Sequence, residues 1–399
     1  MFAQSAGQER RVCWLALTLP WLVCLLMGLG SALRQAGAES RAAWALHEAA
    51  LLRQWYQQDA SQWPPAWIDD GVAYQELGAW QPPPVADATG TTGAAMVARV
   101  ALGRALFFDA RLSVAGEVSC ASCHQPARGW SSGTAVGIGH AGQLGRRNPP
   151  ALHAVAGHRV FGWDGRSTSL GAQSLLALTR PDEMANPSLE PVLAWLAADA
   201  DYATRFAAAY GPGAGSAGGD GPARPDAAQL GDALAAFLGS LDKPSAFDRF
   251  MQGQHTALSD QQIRGLHLFR TRARCANCHF GPLLSDGRFH NLKIASFGEP
   301  AEDLGRYGVT GQPQDAGAFR TPSLRHVAET APYMHSGLFD SLDGVIRLYE
   351  RGGGEVWARN AQEAAAPLYR FAVRASGQLR PLTLSEADRA ALRAFLQAL

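Results

Sequence analysis

The sequence predicts a mostly α-helical protein of two domains with long loops, set behind an N-terminal export segment and a helical extension. Three observations carry this expectation. Apolar residues recur at helical spacing in several stretches, while no good alternating strand pattern appears. The 399 residues exceed what one ordinary core takes up. One cysteine–histidine pattern also occurs twice, far apart, as SCASCHQ at 119–125 and RCANCHF at 274–280.

In chain order, residues 1–38 read as a signal peptide or a membrane anchor. Arg10 and Arg11 precede the uncharged run VCWLALTLPWLVCLLMGLG from Val12 to Gly30, and Ala36 and Ala38 frame a small-residue cleavage site. The run approaches membrane-spanning length, so cleavage and retention both stay open. Either outcome places the rest of the chain outside the cytoplasm, in the periplasm. Residues 39–90 form an extension. Trp44, Leu51, Leu52 and Trp55 share a helical face, and the proline-rich stretches WPPAW and QPPPV follow. Residues 91–244 make the first domain, with a helix expected over 94–107 and another over 227–241 carrying Leu230, Leu234, Phe237, Leu238 and Leu241. Between them, GPGAGSAGGDGPARPD at 211–226 has the composition of a surface loop. Residues 245–399 make the second domain. Ser259 with Gln262 forms a capping box ahead of Ile263 and Leu266, and Ser385 with Asp388 does the same ahead of Leu392, Phe395, Leu396 and Leu399.

The formal net charge is zero, which argues against nucleic-acid binding, because neutralising phosphates needs excess basic charge. Of the six cysteines, Cys13 and Cys24 lie in the export segment. The other four, Cys120, Cys123, Cys275 and Cys278, all belong to the repeated motif. A disulfide gives the adjacent histidine no role. A structural zinc site brings its cysteine pairs roughly 15–20 residues apart, whereas Cys120 and Cys275 lie 155 positions apart and each pair has its own histidine. Covalent haem uses every part of the pattern. Two thiols form thioethers with the haem vinyl groups, and the following histidine ligates iron. On this reading the chain carries two haem c groups in cytochrome c-like domains, with His124 and His279 as proximal ligands.

From about residue 50 onward the chain resembles the bacterial di-haem cytochrome c peroxidases and their MauG-type relatives. The runs LGRALFFDARLS, VGIGHAGQLGRRNPPAL, GWDGRSTSLGAQ, RPDEMANP, CANCHFGPLLSDGRFHN and GAFRTPSLRHVAETAPYMHSG carry the resemblance. It implies that His140 caps the peroxidatic iron at rest and swings away on activation. It further implies that Gln173 and Glu183 stand in the distal pocket, and that Trp163 relays electrons between the haems. Glu183 also has a chemical rationale, since breaking the O–O bond of peroxide needs a proton carried from one oxygen to the other. A calcium site is implied at the Asn148 side chain and the carbonyls of Thr330 and Pro332, in keeping with calcium's preference for oxygen. His335 is implied to lie near the second haem without ligating it. The other histidines, His47, His153, His158, His255, His267, His290 and His326, are assigned to surface or core.

The chain departs from the ordinary peroxidases at the far ligand of the second haem. Those enzymes carry a methionine there, fourteen residues after the position of His335. Here that position is Tyr349, as in MauG-type enzymes, with Met334 nearby as an alternative. Three functions follow. The first is a peroxidase that reduces hydrogen peroxide at the first haem, with electrons entering through the second from a small cytochrome c or a cupredoxin. The second is a MauG-type enzyme that stores oxidising equivalents and withdraws electrons from a partner protein. The third is a di-haem electron carrier without turnover.

Overall fold

The computed structural model describes residues 43–82, 93–211 and 224–399. The expected export run, the QPPPV stretch beyond Pro82 and most of the glycine-rich loop lie outside the described residues. The chain divides into two compact units, Met1–Trp55 and Tyr56–Leu399. In the first, the described residues are helical from 43 onward. Leu52 is buried there, whereas Trp44 stands 72% exposed, so the expected apolar face is only partly covered. Among the described residues, no helix is long and apolar enough to cross a membrane.

The larger unit is built on two crossed helix pairs, one near each cysteine motif. Helix α1 (Ala94–Phe108) leads toward the first motif. It is followed by α2 (Leu170–Thr179), α3 (Glu190–Ala198), α4 (Ala200–Tyr210) and α5 (Ala227–Gly239). Helix α1 packs across α5 at Gly103, where a Cβ would collide with the Ala233 carbonyl. Leu102, Leu106, Phe107, Leu230, Leu234 and Phe237 close the core around this crossing. Each such side chain contributes about 1.5–3 kcal/mol on burial. The stripe expected over 227–241 is thus core, and the helix is capped by an Asp226–Gln229 box that escaped the sequence reading.

The second pair repeats the device. After α6 (Ala246–Met251), helix α7 (Asp260–Arg270) starts at the Ser259–Gln262 box, and the last helix begins at the Ser385–Asp388 box. With α8 (Leu342–Glu350) between them, that last helix is α9 (Glu386–Leu396). Helix α7 meets α9 at Gly265, where a Cβ would strike the Ala391 carbonyl. Phe395 contacts Phe247 edge-on at 5.6 Å and Phe269 at 5.3 Å.

Two strands, β1 (Phe289–Asn291) and β2 (Ala318–Arg320), pair antiparallel with His290 opposite Phe319. Three residues are too few to display alternation, which explains why no strand was expected. The extension behaves differently from a simple connector. Residues 56–80 lie along the second half of the unit. Asn277, inside the second motif, accepts from the Asp69 amide at 2.8 Å and donates to the Trp67 carbonyl at 2.9 Å. Glu76 pairs with the buried Arg270.

Candidate active site

Each motif opens on a cavity. The first, about 880 Å³, is lined by Cys120, Cys123 and His124. The second, about 220 Å³, is lined by Cys275, Cys278 and His279. All four cysteines are free. Burial pushes the Cys120 and Cys275 thiols up to about 12. The pairs line separate cavities, so they do not assemble into one four-sulfur site.

The two histidines are held alike. His124 Nδ1 lies 3.1 Å from the Trp130 carbonyl, and His279 Nδ1 lies 3.0 Å from the Leu284 carbonyl. A carbonyl only accepts, so each Nδ1 carries the proton and each Nε2 keeps its lone pair. Burial lowers the pKa of both rings and favours the neutral form that ligates metal. Pinning Nδ1 to an acceptor is how proteins orient a ligating imidazole. The donor set therefore fits a haem in each cavity.

The first cavity is polar beyond its motif. Gln173 and Glu183 line it. Gln173 Oε1 is buried without a hydrogen-bond partner, an orphan that calls for a donor within the cavity. Glu183 lies 2.7 Å from Arg180 Nε in an ion pair whose geometry is not that of a hydrogen bond. Burial nevertheless raises its pKa, against the lowering pull of Arg180. His140 is not among the lining residues. Its Nδ1 meets Glu117 Oε1 at 2.8 Å, and its amide donates to the Glu183 carbonyl at 2.8 Å. The loop of His140 therefore touches the Glu183 segment while its ring is engaged elsewhere.

The second cavity contains both candidate far ligands, Tyr349 and Met334. Burial raises the Tyr349 phenol above its ordinary value. His335 lines the same cavity, stacked on Phe319 with ring centroids 3.7 Å apart. Its Nδ1 is a second buried orphan, and burial lowers its pKa to about 4. Asn148, Thr330 and Pro332 line this cavity together. The Asn148 amide nitrogen donates to Thr134 O at 2.9 Å, so its side-chain oxygen is left to accept.

Trp163 lines both cavities, and its indole N–H donates to the Asn148 carbonyl at 2.8 Å. Sequence reasoning missed two more residues common to both, His158 and Arg320, and it gave no role to His290, which lines the second cavity. His290 Nε2 meets Asp286 at 2.8 Å. Arg320 stands within the family-like run GAFRTPSLRH, but its place in the lining of both cavities, which no motif reports, is what sets it apart.

The comparisons with known proteins bear on the family and the fold. A family model described as di-haem cytochrome c peroxidase matches residues 97–256. The chain is 39% identical to the methylamine utilization protein MauG of Methylorubrum extorquens over 307 residues, covering 75% of this chain and 78% of that protein. The chain belongs to the di-haem cytochrome c peroxidase family. It is also 37% identical to the cytochrome c peroxidase Ccp of Escherichia coli over 259 residues, covering 63% of this chain and 53% of that one. Among solved structures, a MauG-like protein associated with microbial copper homeostasis superposes with a TM-score of 0.66 at 30% identity, covering 84% of this chain and 95% of that one. The diheme peroxidase BthA of Burkholderia thailandensis gives 0.63 at 25% identity, covering 84% and 93%. As a member of this family the chain is an oxidoreductase with two c-type haems, and its mostly helical fold is the family's.

Proposed function

We propose that the chain reduces hydrogen peroxide to water at the first site, with electrons passed through the second. The observation that carries this reading is the pairing, in one cavity, of the Gln173 orphan oxygen with a Glu183 whose pKa is raised by burial. A pure electron carrier has no use for either group. Haem iron, when bound, supplies the electrons and the centre at which peroxide is cleaved. Glu183 receives the proton from one peroxide oxygen and returns it to the other, and a raised pKa suits a group that must do both. Gln173 orients the peroxide by accepting one hydrogen bond. Engagement of His140 with Glu117 supports an open first site. Trp163, shared by the two cavities, is the proposed electron relay.

Residues 91–244 and 245–399 are the proposed first and second haem domains, with Cys120, Cys123 and His124 holding one haem and Cys275, Cys278 and His279 the other. Calcium at Asn148, Thr330 and Pro332 is proposed as an ion held between the two haem domains. The Arg10-Arg11 pair and the apolar run after it support export to the periplasm. A small cytochrome c or a cupredoxin is the proposed donor.

Tyr349 favours a second reading, a MauG-type enzyme that draws electrons from residues of a partner protein. An anionic phenolate stabilises the oxidised iron and lowers its potential, whereas a neutral thioether raises it. A low-potential second site accepts electrons poorly from ordinary cytochromes.

The test is steady-state peroxide consumption by purified di-haem protein with a reduced small cytochrome c. Turnover that falls on Glu183→Gln, with two haems retained, supports the proposal. A wild type that carries two haems and leaves peroxide untouched with every donor class overturns it.

A further inference from the structure

Four arginines are buried among the described residues: Arg99, Arg270, Arg320 and Arg325. Three of them have a carboxylate. Arg99 lies 3.5 Å from Asp232, Arg325 lies 2.6 Å from Asp248, and Arg270 pairs with Glu76. Arg320, 6% exposed, has none among the described residues. Its Nε donates to the Gly162 carbonyl at 3.2 Å and its Nη1 to the Thr321 carbonyl at 3.2 Å. Nη1 also lies 2.9 Å from His158 Nδ1. These partners satisfy hydrogen-bonding capacity but supply no negative charge.

His158 cannot supply it. Burial and then the Arg320 cation hold its pKa down to about 3, so at neutral pH the ring is uncharged. Burial also lowers Arg320 itself, but only to about 10, so it stays protonated at neutral pH. A buried, unpaired cation costs several kcal/mol in a folded protein. A fold that retains one is incomplete without an anion beside it. The guanidinium lines both cavities, and its backbone amide donates to the Trp163 carbonyl at 2.8 Å. The missing anion therefore belongs inside a cavity, next to the segment shared by the two.

We propose that Arg320 is the counter-charge of haem propionate carboxylates at the junction of the two cavities, and that it thereby raises the reduction potential of at least one haem. This rests on the di-haem reading above. With Nε and Nη1 engaged, Nη2 is the nitrogen left to donate to a carboxylate, and the guanidinium charge complements it. As a positioning residue it acts in two ways. It sets the propionates against the Gly162–Trp163 backbone. Its fixed positive charge also disfavours the extra positive charge of oxidised iron, so reduced iron gains.

The experiment is spectroelectrochemical titration of the full-length di-haem protein as wild type, Arg320→Gln and Arg320→Lys, with covalent haem counted by pyridine haemochrome. Removing the charge should lower the ratio of reduced to oxidised iron, at fixed potential, by roughly tenfold for at least one site, as expected for a unit charge at close range in a partly buried setting. Lysine should keep the ratio within about threefold of wild type, since it retains the charge though not the fork. A glutamine variant with two haems and unchanged ratios overturns the proposal. So does a shift that chloride concentration alone abolishes, which would make the counter-ion a small anion. If the glutamine variant fails to accumulate, the lysine variant decides. Two haems and wild-type ratios support the charge requirement, while failure to accumulate refutes it. A wild type lacking two covalent haems would instead sink the underlying di-haem reading.

Discussion

The two CxxCH sites hold their histidines in the same way and share the segment of Trp163, His158 and Arg320, but differ in the groups that line the rest of each cavity. Each imidazole gives its Nδ1 proton to a nearby backbone carbonyl, Trp130 at the first site and Leu284 at the second. Around the first ring lies a cavity of about 880 Å³ whose lining includes Glu183, the orphan amide oxygen of Gln173 and several arginines. Around the second lies about 220 Å³, with Tyr349, Met334 and the stacked His335. Proximal geometry is thus common to the pair. The proposed division of labour rests on what else lines each space, with acid–base groups at the first site and candidate closing ligands at the second.

The comparison breaks most sharply by deleting one site at a time. Cys120→Ala with Cys123→Ala should leave one covalent haem and lower peroxide turnover by at least about three orders of magnitude, the scale on which loss of catalytic machinery is felt. Cys275→Ala with Cys278→Ala should also leave one haem, but should chiefly slow donor oxidation. Haem counting by pyridine haemochrome and separate assays of the two half-reactions would read this. Equal defects in both would show that the sites are not specialised.

Glu183→Gln comes next. With haem load intact, turnover should fall by roughly two to four orders of magnitude, the range of a positioned acid–base group. The pH profile carries the sign. Burial raises the Glu183 pKa, so the carboxylate is protonated, and unable to take a proton, up to a higher pH than an exposed glutamate. Activity should therefore rise with pH along an acidic limb displaced upward from the ordinary carboxylate range, and that limb should vanish in the glutamine variant. A limb that persists there belongs to another group.

Tyr349→Met sharpens the other side of the comparison. Replacing a hard anionic donor by a soft neutral one should raise the second-haem potential and leave the first nearly unchanged. Near-infrared magnetic circular dichroism of the ferric wild type checks the premise. A methionine–iron charge-transfer band already present would assign the ligand to Met334 instead.

The smallest effects concern the two helix crossings. Gly103→Ala and Gly265→Ala each force a Cβ into a facing backbone carbonyl, so each should cost about 1–3 kcal/mol by overpacking. Denaturant midpoints followed at the two haem bands would show whether the halves unfold together. Coincident shifts at both bands mean one cooperative unit, whereas a shift at only one separates them.

Much of this protein can be read without coordinates, for a physical reason. Thioether attachment and axial ligation require particular atoms at fixed short spacing, so CxxCH declares itself wherever it occurs. The α5, α7 and α9 stripes were equally legible, because 3.6-residue periodicity is local, as are the capping boxes ahead of α7 and α9. Long-range burial left no such trace. Nothing in the run GAFRTPSLRH distinguishes Arg320 from the paired Arg325 five residues on, and only the fold leaves one beside Asp248 and the other between two cavities. The proline-rich extension reads as a connector, yet tertiary packing sets Trp67 and Asp69 against Asn277 of the second motif. The resemblance implies that His140 caps an iron, and the fold sets its ring beside Glu117, a neighbour distant in sequence. Bond-forming residues were determined by local chemistry. Which of them face a cavity, and with what charge for company, was decided by contacts between segments that no local pattern encodes.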